Sequence, residues 1–266
     1  MVRSRTESIL ARRYEPGSSG RQPDEVIVEE PMTIRLDDVQ VSSTMRTPGH
    51  DFELAAGFLH AEGVLAGEKV IRIRYCGTGS AVESDFNVVS VETDGRAPAP
   101  SPRLGSISSS CGLCGAEAIT ELTDRLHLLP AYEPWDPDVL MASPELLRAD
   151  QPLHDLTGGV HAAAAIDRTG CIVVVREDIG RHNAVDKVVG RLLLDDVLPA
   201  TELALVVSGR GSFEMVQKAW AAGFTALVAV SAPSALAIST ARWAGMTLVG
   251  FARDRTGNFY SPDSAV

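Results

Sequence analysis

The sequence predicts an α/β protein: a three-layer sandwich in its C-terminal half, preceded by a β-rich part that carries a CxxC loop. Three observations predict it. From Trp135 onward, short apolar runs alternate with helix-like segments, the pattern of helices laid on a largely parallel sheet. Those runs, among them Cys171–Arg176 and Leu203–Ser208, are nearly all apolar, as strands buried on both faces are. Over Val26–Thr44 the residues instead alternate with a period of two, as in a half-buried sheet. Pro130, Pro134 and Pro137 mark the change in composition. The expected organisation is a flexible tail over 1–25, a β-rich N-terminal domain with the CxxC loop and a helix over 26–130, and an α/β domain over 131–266.

Taken in order, Val26–Pro31 and Met32–Leu36 read as two strands turning at Pro31, with a third over Val39–Met45. Asp51, or the residues just before it, caps a helix over Phe52–Gly63, where apolar positions recur at helical spacing and Gly63 ends the run. His50 and His60 lie near Glu53 and Glu62, but solvated or capping roles suit them better than a metal site. Val70–Tyr75 and Asn87–Glu92 read as strands, with Cys76 a half-buried structural thiol between them. Thr93–Pro102 is a Pro-, Ala- and Gly-rich lead-in to the CxxC, and a helix follows to about His127. Helices are expected over Asp136–Ala149, with Pro137 at its tolerated place near the start, and over His182–Leu194, Ser212–Ala222 and Ser234–Trp243. Strands are expected over Gly159–Ile166, Cys171–Arg176, Leu203–Ser208, Ala226–Val230 and Met246–Phe251, the first pair turning at Asp167–Gly170.

At 266 residues the chain can bury a full core. It has no apolar run near the length of a membrane span. A net charge of -11 argues against general nucleic-acid binding, so a phosphate-bearing ligand needs a local basic pocket. The first residues are rich in Arg and Ser and lack the apolar stretch of a secretory signal. Four cysteines without an export signal fit a reducing compartment, and a cytoplasmic protein is expected.

Chemistry concentrates in two places. Cys111-Gly112-Leu113-Cys114-Gly115 sets two thiols three residues apart, just before a helix-like run. A helix N-terminus favours the thiolate, which attacks sulfur and binds metal, and Cys111 is the better placed of the two. The motif alone fits a redox dithiol, half of a zinc site, or a persulfide carrier. The second place is a set of polar strand-end loops: Glu177–Asn183, Ser208–Ser212 and Ser231–Ser234. Ligands of α/β sheets gather at such strand ends. Glycines there permit close backbone approach, and Arg181 and Arg210 offer forked donors suited to phosphate. Arg253 and Arg255 follow the last strand at the same edge. His182, opening a helix, is the better functional histidine; His161 reads as a hydrogen-bonded core residue.

Together these motifs resemble the formate dehydrogenase accessory sulfurtransferase family, FdhD/NarQ. The resemblance rests on Thr47–Asp51 with Leu54–Gly63, on Cys111–Gly115, on Gly158–His161, on Glu177–Lys187 and on Ser208–Lys218, and covers roughly residues 25–260. It implies a sulfurtransferase that takes sulfur from a cysteine desulfurase and passes it to the molybdenum or tungsten cofactor of formate dehydrogenase. Cys111 would carry the persulfide, and Cys114 would assist transfer or itself hold sulfur. The bis-molybdopterin guanine dinucleotide form of the cofactor would be bound by Phe251, Ala252, Arg253, Asp254, Arg255 and Thr256, together with Arg181, His182, Ser208, Gly209 and Arg210. The resemblance also implies a homodimer, and an α/β domain similar to the cytidine deaminase fold. Zinc deamination is not expected, because the corresponding helices offer no thiolate ligands.

Overall fold

The computed structural model describes residues 3–76, 81–82, 84–99 and 125–262. Cys111 and Cys114, with most of the helix expected after them, lie outside the described residues.

Among the described residues three sheets are present. Strands β1 (Thr6–Glu15) and β2 (Ser18–Ile27) pair as an antiparallel ribbon. Strands β3 (Glu30–Leu36), β4 (Val39–Arg46), β5 (Arg72–Tyr75) and β6 (Val88–Glu92) form a four-stranded sheet in the order β4-β3-β6-β5. Strands β7 (His161–Asp167), β8 (Ile172–Asp178), β9 (Leu203–Val207), β10 (Ala226–Ala229), β11 (Thr247–Arg253) and β12 (Thr256–Ser261) form a six-stranded sheet in the order β12-β11-β10-β9-β7-β8. The pairs β9–β10 and β10–β11 are parallel; the rest of that sheet is antiparallel.

The helices α2 (Pro137–Ala149), α4 (Arg181–Leu194), α5 (Phe213–Ala221) and α6 (Ala235–Ala244) cover this large sheet. Leu140, Met141 and Leu147 of α2 pack on one face with Ala162, Ala164, Val206 and Val228. Residues of α4, α5 and α6, such as Val188, Val216 and Ala241, pack on the other with Ala163, Leu205 and Leu227. Burial on both faces explains why β9 and β10 are wholly apolar. It also settles β7, whose alanines have no strong strand preference. The strand lies inside the sheet between β8 and β9, where small side chains fit beneath helices on both sides.

Where a flexible tail was expected over 1–25, residues 6–25 form most of the β1–β2 ribbon. Its residues are mostly exposed on both faces, so no apolar alternation betrays a strand in the sequence. Pro31 does not turn the chain either; it lies inside β3, opposite Met45. Thr33 donates its N–H to Asn87, and the nitrogen of Pro31, two residues earlier, faces the same side. There the pairing with β6 has not yet begun, so no ladder bond is lost. Two further elements went unforeseen: β12, and the short helix α3 (Pro152–Thr157).

Helix α1 (Asp51–Ala61) joins the two larger sheets. Its N-cap is His50, in left-handed conformation (φ 57°) and without a side-chain cap. Asp51 instead receives Arg46 at 3.0 and 3.1 Å, with the Gly49 N–H and the Tyr75 hydroxyl. One side of α1 covers the small sheet through Leu54, Ala55 and Leu59. The other meets α4 backbone to backbone. A Cβ on Gly57 would lie 1.9 Å from the Asp186 carbonyl oxygen, and one on Gly190 would lie 1.8 Å from that of Glu53. Glu53 closes the same contact by accepting two bonds from Arg176 of β8, at 2.5 and 2.7 Å. Burial alone would raise the Glu53 carboxyl, but Arg176 and His50 hold it down at about 2.

Gly57→Ala and Gly190→Ala should each destabilise the protein by about 1–3 kcal/mol or more, because the clash is with backbone that cannot step aside. Gly20→Ala, which meets nothing within 4 Å, should stay within about 0.5 kcal/mol; urea unfolding of the three variants measures both. A depressed carboxyl stabilises the fold above its unfolded value and loses that contribution as pH falls through its folded one. The stability gap between the natural protein and Glu53→Gln, present at neutral pH, should therefore close as pH falls from about 4.5 to about 2, followed by denaturant unfolding at each pH.

Candidate functional site

Strand directions bring the polar loops together. Strands β9, β10 and β11 run parallel and end at one edge. There β7 begins, with Ala163 opposite Val207, and β8 ends, with Asp178 opposite His161. The loops Glu177–Asn183, Ser208–Ser212 and Ser231–Ser234 therefore share that edge, as the sequence led one to expect. Backbone bonds join the second loop to the third, Ser231 N–H to Gly209 O at 3.2 Å and Ser234 N–H to Gly211 O at 3.1 Å, and the third to β11, Phe251 N–H to Ser231 O at 3.2 Å.

The Glu177–Lys187 block divides its work. Glu177 accepts the N–H groups of Leu153 and His154 at 3.0 and 2.8 Å and so holds the start of α3. Asp178 is wholly buried and pairs with the equally buried Lys187 at 2.7 Å. It also accepts the N–H groups of Thr47 and Gly180 and the side chain of Asn183. Lys187 donates to the Thr47 carbonyl at 3.0 Å, and Asn183 to that of Met45 at 2.7 Å. Burial lowers the Lys187 pKa, and Asp178 opposes the shift. These residues fix the chain entering α4; they do not face the strand-end loops.

Arg181 and His182, the first residues of α4, do. Gly209 lies beside His161 and Arg181: a Cβ there would stand 3.6 Å from His161 Nδ1 and 3.8 Å from Arg181 Cδ. Burial, then Arg181, His182 and Arg210, push the His161 pKa down, so the edge is a local concentration of positive charge. Arg181 Nε and both ring nitrogens of His182 are buried with no hydrogen-bond partner among the described residues. Glu214, at the start of α5, stands 3.9 Å from His182 Nε2, an ion-pair distance too long for a hydrogen bond. The imidazole, against the opposing effect of burial, holds the Glu214 carboxyl at about 2.

The expected cofactor segment Phe251–Thr256 is the end of β11 and its hairpin turn into β12. Arg253 pairs with Thr256 across a two-residue turn, and Asp254 and Arg255 both have positive φ (50° and 55°), as a type I′ hairpin requires. Neither residue is a glycine or asparagine, which is why the turn was illegible. Phe251, at an irregularity in β11, also has φ 54° and is exposed; a bulky side chain held there is strained. Arg255 reaches Glu145 at 3.6 Å.

Behind this edge, bounded by α2, the start of α3 and the last strands, is a cavity of about 670 Å³. Ser208, Ala252, Arg253 and Asp254 line it, as do His161, expected in the core, and two residues that sequence reasoning passed over, Gln151 and His154. Ser208 Oγ accepts the Ala162 N–H at 2.9 Å and lies 3.5 Å from His161 Nδ1. His161 is thus a half-buried cavity residue rather than a core one, and its sequence signal was its place in the Gly158–His161 motif. Of the other cysteines, Cys76 is half-buried, 3.3 Å from Arg74 Nη1, and Cys171 is exposed.

The sequence model of the FdhD/NarQ family matches residues 27–266. The chain is 45% identical over 270 residues to the sulfur carrier protein FdhD of Streptomyces coelicolor, covering 96% of this chain and 94% of that one. It is 47% identical over 254 residues to the protein of that name from Nocardia farcinica, covering 94% and 90%. A crystal structure from Desulfotalea psychrophila, described as a candidate formate dehydrogenase accessory protein, superposes with a TM-score of 0.79 at 25% identity, covering 99% of this chain and all of that one.

Lys187→Met would leave the Asp178 carboxylate buried and unpaired, and should cost about 3–5 kcal/mol in unfolding free energy. Adding Asp178→Asn to it should recover part of that loss, which a double-mutant cycle by urea unfolding measures.

Proposed function

Since the chain belongs to the FdhD/NarQ family, we propose that it is a sulfur carrier of the kind its relatives' names describe. It accepts sulfur from a cysteine desulfurase as a persulfide on Cys111. It delivers that sulfur to bis-molybdopterin guanine dinucleotide, the molybdenum or tungsten cofactor destined for formate dehydrogenase. It does so in the cytoplasm as a homodimer. The observation that supports this reading is the gathering of Arg181, His182, Arg210 and the Arg253–Thr256 turn at one sheet edge beside a cavity of about 670 Å³. That volume suits a nucleotide-sized group.

The residues fit such a client. Its pyrophosphates are anionic, and Arg181 and Arg210 bring forked guanidinium groups to the edge where the strand-end loops meet. Gly209 lets a ligand approach the backbone between His161 and Arg181. The cofactor brings a metal centre that takes sulfur as its terminal ligand. The protein's own part is to neutralise the phosphates and present the persulfide. In the same terms, the α/β part is similar in plan to the cytidine deaminase fold, with its strand-end edge given to binding rather than to zinc-assisted hydrolysis.

The sulfur chemistry balances with the two CxxC thiols. The Cys111 thiolate attacks the outer sulfur of the desulfurase persulfide, and the desulfurase cysteine leaves as a thiolate. On delivery, the Cys114 thiolate attacks Cys111 Sγ. The outer sulfur departs as hydrosulfide, and a Cys111–Cys114 disulfide remains, reset by a cellular dithiol reductant. The electron pair that reduces the sulfur comes from the two cysteines.

Intact mass before and after incubation with a cysteine desulfurase and cysteine tests this. The natural protein should gain about 32 Da, removable by reductant, and Cys111→Ala should gain nothing. Loss of two hydrogen atoms on oxidation, with no sulfur gain in any variant, would make the CxxC a redox dithiol instead.

A further inference from the structure

The β1–β2 ribbon belongs to none of the three apolar clusters that form the described core. Its faces are mostly exposed, Leu10 and Tyr14 by 62% and 79%. A two-stranded ribbon alone in water is marginally stable at best. Its base is nonetheless fixed to the body. Arg3 bridges Glu30 at 2.6 Å and donates to Asn87 at 2.7 Å, and the Val28 N–H donates to the Arg5 carbonyl at 2.9 Å. An arm held at its base and bare beyond it calls for a partner.

The last of these bonds tells which edge of the ribbon is open. In an antiparallel pair, residues bonded to the facing strand alternate with residues whose N–H and C=O point outward. Arg5 bonds Val28 and the register from Thr6 to Glu15 is unbroken. Glu7, Ile9, Ala11 and Arg13 therefore bond β2, while Thr6, Ser8, Leu10, Arg12 and Tyr14 turn their backbone groups away. On β2 the outward set includes Pro23, opposite Leu10, which has no N–H to give, so that edge is closed. The β1 edge holds neither proline nor glycine and offers bonds along its length.

Strand β1 also complements itself. Laid antiparallel to its own copy with Leu10 opposite Leu10, it sets Thr6 opposite Tyr14 and Ser8 opposite Arg12 on one face. On the other face Glu7 meets Arg13 and Ile9 meets Ala11. The Glu7–Arg13 match occurs twice, once on each side of the two-fold axis. A shift of the axis to Ala11 would instead oppose Glu7 to Glu15 and Leu10 to Arg12. In the single chain Arg13 pairs with Glu15 at 3.0 Å, both largely exposed, and a surface pair of that kind holds it weakly. The outward residues of the two strands would exchange about ten backbone bonds, as many hydrogen bonds as a typical interface carries.

We propose that β1 is the edge by which two copies of this chain join, forming a four-stranded sheet β2-β1-β1-β2 about a two-fold axis at Leu10. This rests on the homodimer reading above and adds to it the surface that makes the dimer. The occupant is a second copy because the charge pattern of β1 is met by β1 itself.

Sedimentation velocity of the full-length protein over a series of concentrations tests it. In Glu7→Arg and in Arg13→Glu, like charges face each other across the axis, and each should raise the dissociation constant about tenfold. Both changes together restore the match and should return the constant to its natural value. The double exchange does not restore the pairing of position 13 with Glu15, so recovery cannot come from within one ribbon. Leu10→Pro removes an outward N–H at the axis and none from the β1–β2 ladder, and should weaken the dimer further than either charge change. If the natural protein is dimeric and every variant matches it, β1 is not the interface, and its assignment is overturned while the homodimer reading stands. If the single charge changes weaken the dimer and the double change does not recover it, the pairing about Leu10 is overturned. A natural protein that is monomeric throughout overturns the homodimer reading, and the role of β1 with it.

Discussion

The buried Asp178–Lys187 pair is the interaction on which the strand-end site depends. Two full charges taken out of water are costly, and such a pair survives only where further hydrogen bonds surround it. Here they come from both parts of the chain: Thr47 gives its N–H to Asp178 and its carbonyl to Lys187, and Gly180 and Asn183 complete the carboxylate's shell. The pair thereby joins the end of β4, the end of β8 and the start of α4. Further along α4, the bare backbone contact of Gly57 and Gly190 sets α1 against it. The ionic lock and the helix crossing constrain each other, since a helix held at one end and touching along its backbone has little freedom left.

This arrangement explains how one block of sequence serves two purposes. Glu177, Asp178, Asn183 and Lys187 turn inward and are consumed by structure. Arg181 and His182, in their midst, turn toward the strand-end loops with polar atoms left unsatisfied. A residue kept short of partners by a rigid surround is prepared for a ligand, because the cost of ordering it is met at folding rather than at binding. On the opposite wall, Glu177 steadies the start of α3 through the Leu153 and His154 N–H groups.

Charge makes the site selective in a second way. The chain has 35 acidic and 24 basic residues, so an anion is repelled by most of its surface. Arg181 and Arg210 reverse the sign over a small region, felt at His161, where burial and then these charges lower the pKa. An acidic body with one cationic edge favours a specific anionic client over polyanions in general.

Much of this was legible in the sequence. The apolar strands β9, β10 and β11, the helices between them and the gathering of polar loops at their ends follow from hydrophobic periodicity and from the rule that parallel strands end at one edge. Local pattern suffices there, because burial on both faces leaves its mark on every residue. The CxxC pair and Arg181, His182 and Arg210 stood out by residue type alone. Other features were decided only by tertiary structure. The β1–β2 ribbon has no buried face to impose a period, and the turn at Asp254-Arg255 takes left-handed backbone without glycine. Gln151 and His154 come from a segment without sequence signal and join His161 in a cavity wall only when α3 is held against the sheet. Sequence records what each residue needs of its surroundings; which needs remain unmet, and so open to a ligand, is fixed only once the chain has folded around them.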